Sequence, residues 1–236
     1  MNKQTVDIIG DFVDNISAEV VISEVIDNGN GSYTLITNCT WWVSICHTYE
    51  IDGFKYIVDS FSINQSITVK PVGHANIPIP TTLTLLPPNY IHGTLKMAGN
   101  EVDGETDKTK LCPFVYLFEI ITDRKNTDEE SMIDREVDLR LFFLNSVNTK
   151  DWLTNEHYEY FVNPMQQMVD LFIYNIKNSK LFTDEVRHEC TPLINVSEQG
   201  TKEKSVFDCN LSGIELRIFA EIREDLSCTS KNKCKC

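Results

Sequence analysis

Two stretches near the C-terminal end constrain this chain most, because each alternates apolar with charged or large residues at the two-residue period of a β-strand. The first runs from Arg135 to Leu144, and the second from Ser212 to Ile222. In the first, Val137, Leu139, Leu141 and Phe143 share one face, opposite Glu136, Asp138, Arg140 and Phe142. In the second, Ile214, Leu216, Ile218, Ala220 and Ile222 oppose Glu215, Arg217 and Glu221. Each strand therefore has one face for a core and one for something else. A sheet with ordered charges on its outer face and one helix packed behind it suits a subunit that sits beside copies of itself.

That helix is the strongest in the sequence. Asn163 can cap it, Pro164 suits its first turn, and Met165, Met168, Val169, Phe172, Ile173 and Ile176 form one stripe. A methionine and aromatic stripe at this spacing reads as core packing. Tyr158, Phe161 and Val162 keep a similar phase upstream, so a turn or helix leads into it. At the other end of the chain, Val6, Ile9, Val13 and Ile16 recur at helical spacing, with Asp7, Asp11 and Asp14 between them, and predict a short amphipathic helix.

After this first helix the period changes to two. Val20 to Ile26 and Tyr33 to Thr37 flank Asp27-Asn-Gly-Asn-Gly31, whose residues tolerate positive φ, and read as a hairpin. Strand signals continue over Trp42 to Glu50, Phe54 to Asp59 and Phe61 to Lys70. Tight turns tie them together, which predicts a small β-barrel or sandwich over 18–72. From 73 to 110 prolines block regular pairing, leaving at most one short strand at Leu83 to Leu86, so this stretch reads as an extended connection or arm. Order returns at Phe114 to Ile121, whose unbroken apolarity fits a strand covered on both faces. Thr122 to Asp134 is polar and reads as a long hairpin tip.

The expected class is α+β: an α-β-β-α-β-β body from 1–17 and 111–223, the inserted β domain at 18–72, the connection at 73–110, and a Cys/Lys-rich tail at 224–236. Acidic residues number 35 against 21 basic ones, a net charge of −14, which argues against a nucleic-acid grip built from clustered Lys and Arg. No export signal or membrane-length apolar run is visible, so a reducing compartment and free thiols are expected for most of the eight cysteines.

Candidate chemistry is sparse. Cys228, Cys234 and Cys236 are the one group with metal-ligand residue types, and His188 or Cys190 could supply a fourth ligand. Their Cys-x-Cys spacing is not that of a zinc knuckle, and a frayed basic tail whose Lys231, Lys233 and Lys235 lie on an acidic neighbour is the alternative. The five histidines stand in no hydrolase or metalloprotease context, so neither catalysis nor a cofactor is expected. Trp41 and Trp42, adjacent in an apolar run, would face opposite ways in a strand, one toward the core and one toward a partner. The same pair could form a sugar platform, which keeps a carbohydrate- or partner-binding β module as the second functional class. Candidate subunit-contact residues are Trp41, Trp42, Arg135, Arg140 and Arg217.

The order of elements outside the insertion, with Asp138-Leu-Arg-Leu-Phe-Phe-Leu144 and Gly213 to Ile222, resembles the tail-terminator and tail-completion proteins of tailed bacteriophages. Phe54-Lys-Tyr-Ile-Val-Asp59 after the Ile51-Asp-Gly53 turn is similar to small β domains inserted in structural proteins of phages of Bacteroidetes, including the crAss-like group. The resemblance implies a virion component, assembled in the host bacterial cytoplasm, that forms a ring in the head-to-tail connector. Such a ring would meet other neck, portal or tail proteins and would pass DNA through an electronegative lumen without binding it specifically. No membrane partner is implied.

Overall fold

A computed structural model of the chain describes residues 4–44, 47–51, 54–73, 82–93, 112–125, 134–146, 157–183, 185–193 and 211–223. The Cys/Lys-rich tail, with Cys228, Cys234 and Cys236, lies outside the described residues.

The fold is mixed α+β, mostly sheet, with helices α1 (Thr5–Asp14) and α2 (Asn163–Asn178). Gln4 and Asp7 form a reciprocal capping box at the start of α1, satisfying backbone donors that a helix start leaves open. No N-cap stands at Asn163. A π-helical turn, Tyr158–Val162, runs straight into α2, and Asn163 already has helical dihedrals of −62° and −45°. Asn163 is therefore the first residue of a continuing helix. The stripe Met165, Met168, Val169, Phe172, Ile173 and Ile176 is buried, as its spacing required.

The first sheet has six strands: β1 (Ala18–Asp27), β2 (Tyr33–Thr37), β3 (Thr48–Ile51), β4 (Phe54–Ser62), β5 (Ser66–Pro71) and β6 (Thr82–Leu85). Their order, β3-β4-β5-β2-β1-β6, curls into a nearly closed barrel. Gly29 and Gly31 adopt φ of +71° and +79° in the β1–β2 turn, a conformation that glycine reaches without strain.

The second sheet has five strands: β7 (Asn89–His92), β8 (Phe114–Lys125), β9 (Asp134–Ser146), β10 (Arg187–Leu193) and β11 (Leu211–Arg223), in the order β10-β11-β9-β8-β7. All neighbours are antiparallel except β7, which runs parallel to β8. β6 is the one short strand allowed near Leu83 to Leu86, whereas β7 is a strand that the reading of 73–110 as a connection or arm did not foresee. β6 completes the barrel edge against β1, and β7 closes the β8 edge of the second sheet, so the described part of this stretch is sheet on both sides of Pro87-Pro88.

One face of the five-stranded sheet packs against α1 and α2 through Val115, Leu117, Leu139, Leu141, Phe143, Ile214, Leu216, Ile218 and Ile222. That core continues without a break into the barrel through Val20, Leu35, Trp42, Tyr56 and Ile67. α1 lies close on β7 because Gly10 presents no side chain there: a Cβ at Gly10 would come 3.0 Å from Cε1 of Tyr90. The Tyr90 hydroxyl then donates to the Val6 carbonyl at 3.0 Å. Asn145 Nδ2 of β9 donates to Ser44 Oγ of the barrel at 2.7 Å, a polar tie between the two sheets. No helix is long and apolar enough to cross a membrane among the described residues.

Candidate functional site

The outer face of the five-stranded sheet carries the most ordered polar chemistry in the described structure. The pairing of β9 with β11 places Arg140 directly opposite Arg217, with Asp138 opposite Phe219 and Phe142 opposite Glu215. Two cationic side chains facing each other across a ladder repel, and the sheet resolves this diagonally. Arg140 Nε pairs with Glu215 Oε1, and Arg217 pairs with Asp138 through Nε at 3.2 Å and Nη2 at 2.9 Å. The bond to Asp138 is the largest influence on the Arg217 guanidinium; desolvation opposes it, the charges of Asp138, Glu189 and Glu215 add smaller raising effects, and the group is held above its usual range. Each guanidinium also stacks on aromatic rings: Arg140 lies over Phe118 and Phe142 at 5.2 and 5.3 Å, and Arg217 over Phe219 at 4.7 Å.

This arrangement has a local two-fold axis. A rotation through the Arg140/Arg217 pair takes Asp138 to Glu215, Leu139 to Leu216, Leu141 to Ile218 and Phe142 to Phe219. The same rotation relates the outer strands, since Glu119 stands opposite Arg140 and Glu189 opposite Arg217. The sheet thus reads Glu-Arg-Arg-Glu across β8, β9, β11 and β10. The sequence signal for this was the repeated acid-Leu-Arg-aliphatic-Phe pattern at 138–142 and 215–219, which alternation alone does not expose.

Next to the arginine pair the face opens into a cleft of about 330 Å³, lined by Arg124, Glu136, Asp138, Glu185, Arg187 and Glu221 among others. On the far side of the face, Ile91, Cys112, Phe114, Tyr116, Phe142, Leu144 and Leu211 form a second, smaller apolar cluster. Among the described residues no three His, Cys, Asp or Glu side chains converge as a metal site. Cys39 and Cys190 are free thiols.

Of the five candidate contact residues, Arg140 and Arg217 lie on this face, half-exposed. Arg135 does not. Its side chain is 7% exposed, and it clamps the start of α1: Nη1 donates to Thr5 Oγ1 at 3.0 Å, Nε lies 3.3 Å from Asp123 Oδ1, and Thr5 Oγ1 donates to Asp123 Oδ2 at 2.8 Å. Burial of the guanidinium takes Arg135 out of any surface contact. Trp41 and Trp42 are not in a strand either. They occupy a turn in which Trp41 takes φ of +44°, so the two side chains no longer alternate. Trp42 is fully buried, Trp41 packs against the same core, and the rings meet edge to face at 6.1 Å. The pair presents no exposed aromatic platform.

His47 is a further buried group. It stacks on Tyr49 at 6.4 Å, and loss of hydration lowers its pKa to about 4. It is a neutral packing residue at neutral pH.

No protein-family model, curated protein or solved structure matches this chain.

Proposed function

We propose that the protein is a non-catalytic virion subunit that assembles into a ring in the head-to-tail connector of a tailed bacteriophage, with a tail-terminator-like body and the β-barrel as an insertion. The observation that supports this best is the order of elements outside the barrel: α1, the short edge strand β7, the β8–β9 hairpin, α2 and the β10–β11 hairpin, with both hairpins joined into one sheet over the helices. Apart from β7, that is the α-β-β-α-β-β order on which the phage resemblance rests. The outer face adds a second argument, because arginines stacked on aromatic rings are the side chains that contact surfaces favour. The net charge of −14 suits a wall past which DNA moves without sticking, since like charges raise the cost of close approach.

In this reading the partners are further copies of the chain and the neighbouring portal, neck or tail proteins, and the ring is built in the bacterial cytoplasm and carried in the virion. Negative-stain electron microscopy of the purified full chain, alone and with the portal protein of the same virus, tests it. Closed rings with a central opening are expected. Particles that stay monomeric under both conditions refute it.

A further inference from the structure

The local two-fold axis of the sheet puts β8 and β10 in corresponding places, although β8 carries two register shifts that β10 lacks, and their outer edges differ as well. β7 covers the edge of β8 in parallel over Phe114 to Leu117. No strand among the described residues pairs with the outer edge of β10. Arg187, His188, Glu189, Thr191 and Pro192 are exposed along it. An edge left open offers unpaired backbone donors and acceptors to another strand.

We propose that β10 pairs antiparallel with β10 of a second copy, about a two-fold axis at His188, so that two five-stranded sheets become one. Charge selects both the partner and the register. With His188 on the axis, Arg187 stands opposite the partner's Glu189 and Glu189 opposite the partner's Arg187, giving two opposite-charge cross-strand contacts on one face. A shift by one residue brings side chains of the wrong face together and loses both contacts. Pro192, which cannot donate to a ladder, stands beyond the three residues on which the pairing centres. The chain already joins its own hairpins this way at β9 and β11, antiparallel about a dyad and flanked by arginine–carboxylate pairs. The two-fold contact goes beyond the ring reading and does not require it.

The test is sedimentation velocity of the full chain over a concentration series at physiological ionic strength, where repulsion between two acidic copies is screened. Four proteins are compared: the wild type, Arg187→Glu, Glu189→Arg and the double exchange, each checked by circular dichroism. The wild type is expected to dimerise. Either single reversal turns two attractive contacts into two repulsive ones and weakens the dimer about 30-fold, and the double exchange recovers most of the loss. A wild type that stays monomeric throughout, or a dimer that all three variants leave unchanged, overturns the proposal. A monomer would make these charges and Pro192 a guard against edge pairing. Rings that form equally well in all four proteins overturn the β10 contact and leave the ring reading standing; charge-sensitive dimers without rings do the reverse.

Discussion

Replacing Gly213 with alanine puts the central ladder of the second sheet under direct test. Gly213 pairs with Leu144, and a Cβ built on it would sit 1.8 Å from the carbonyl oxygen of Phe143, 2.8 Å from its carbonyl carbon and 3.1 Å from the Cα of Leu144. All three atoms are backbone, so no side chain can swing aside. An ordinary carbon–oxygen contact needs roughly 3.3 Å, which means that β9 and β11 must part by more than an ångström at this point. The cost has two parts. Forced overpacking of a close-packed site is worth about 1–3 kcal/mol, and loss of one or two ladder hydrogen bonds adds about 1 kcal/mol each. A total of about 2–5 kcal/mol follows from those two contributions. Urea unfolding followed by far-ultraviolet circular dichroism measures it: with a slope of about 2 kcal/mol/M, the midpoint should fall by about 1–2.5 M. Gly213→Ser should behave the same way, because the clash lies at Cβ. A midpoint within about 0.3 M of wild type would show that β11 does not run this close to Phe143, and the assigned register would fall with it.

Three further outcomes follow from other sites. His47 is nearly neutral at every pH above its folded value of about 4, whereas in the unfolded chain it titrates near its ordinary value of 6.5. The unfolded state therefore binds more protons between those two values, and the stability contributed by the buried neutral ring is full above 6.5 and is lost as pH falls toward 4, by about 3 kcal/mol; His47→Phe should flatten that part of the stability–pH curve, and an unchanged slope would refute the assignment. Arg135→Met removes the cation from its buried site beside Thr5 and Asp123 and should cost about 2 kcal/mol in thermal unfolding, with hydrogen exchange rising first in α1; a loss confined to α2 would contradict the clamp. Phe172→Ala opens a cavity under Phe143, whose ring lies 5.4 Å away, and should destabilise by about 3–5 kcal/mol in chemical denaturation.

What the sequence disclosed and what it hid divide along physical lines. The two long strands and the Met165 to Ile176 stripe were legible because a dozen residues at one period outweigh local noise. β7 was not, and β6 showed only as one short strand allowed at Leu83 to Leu86, since four-residue strands on either side of Pro87-Pro88 are too short to show a period and owe their pairing to distant neighbours. Trp41 and Trp42 misled because two tryptophans in an apolar run look like a strand, whereas a positive φ at Trp41 turns the chain there. The fate of Arg135 depended on Thr5, 130 residues away, and alternation carries no such information. At the candidate site, the arginines were readable as outward-facing charges, but the diagonal pairing follows only from a register that sets Arg140 against Arg217.

The short link between β6 and β7 has a mechanical consequence. Only Leu86, Pro87 and Pro88 separate a strand of the barrel from a strand of the second sheet, and Tyr90 just beyond them is bonded to Val6. A tug on the barrel cannot be absorbed as slack in so brief and stiff a tether. It is delivered instead to the first turns of α1, so the two halves of the molecule should tilt as one lever.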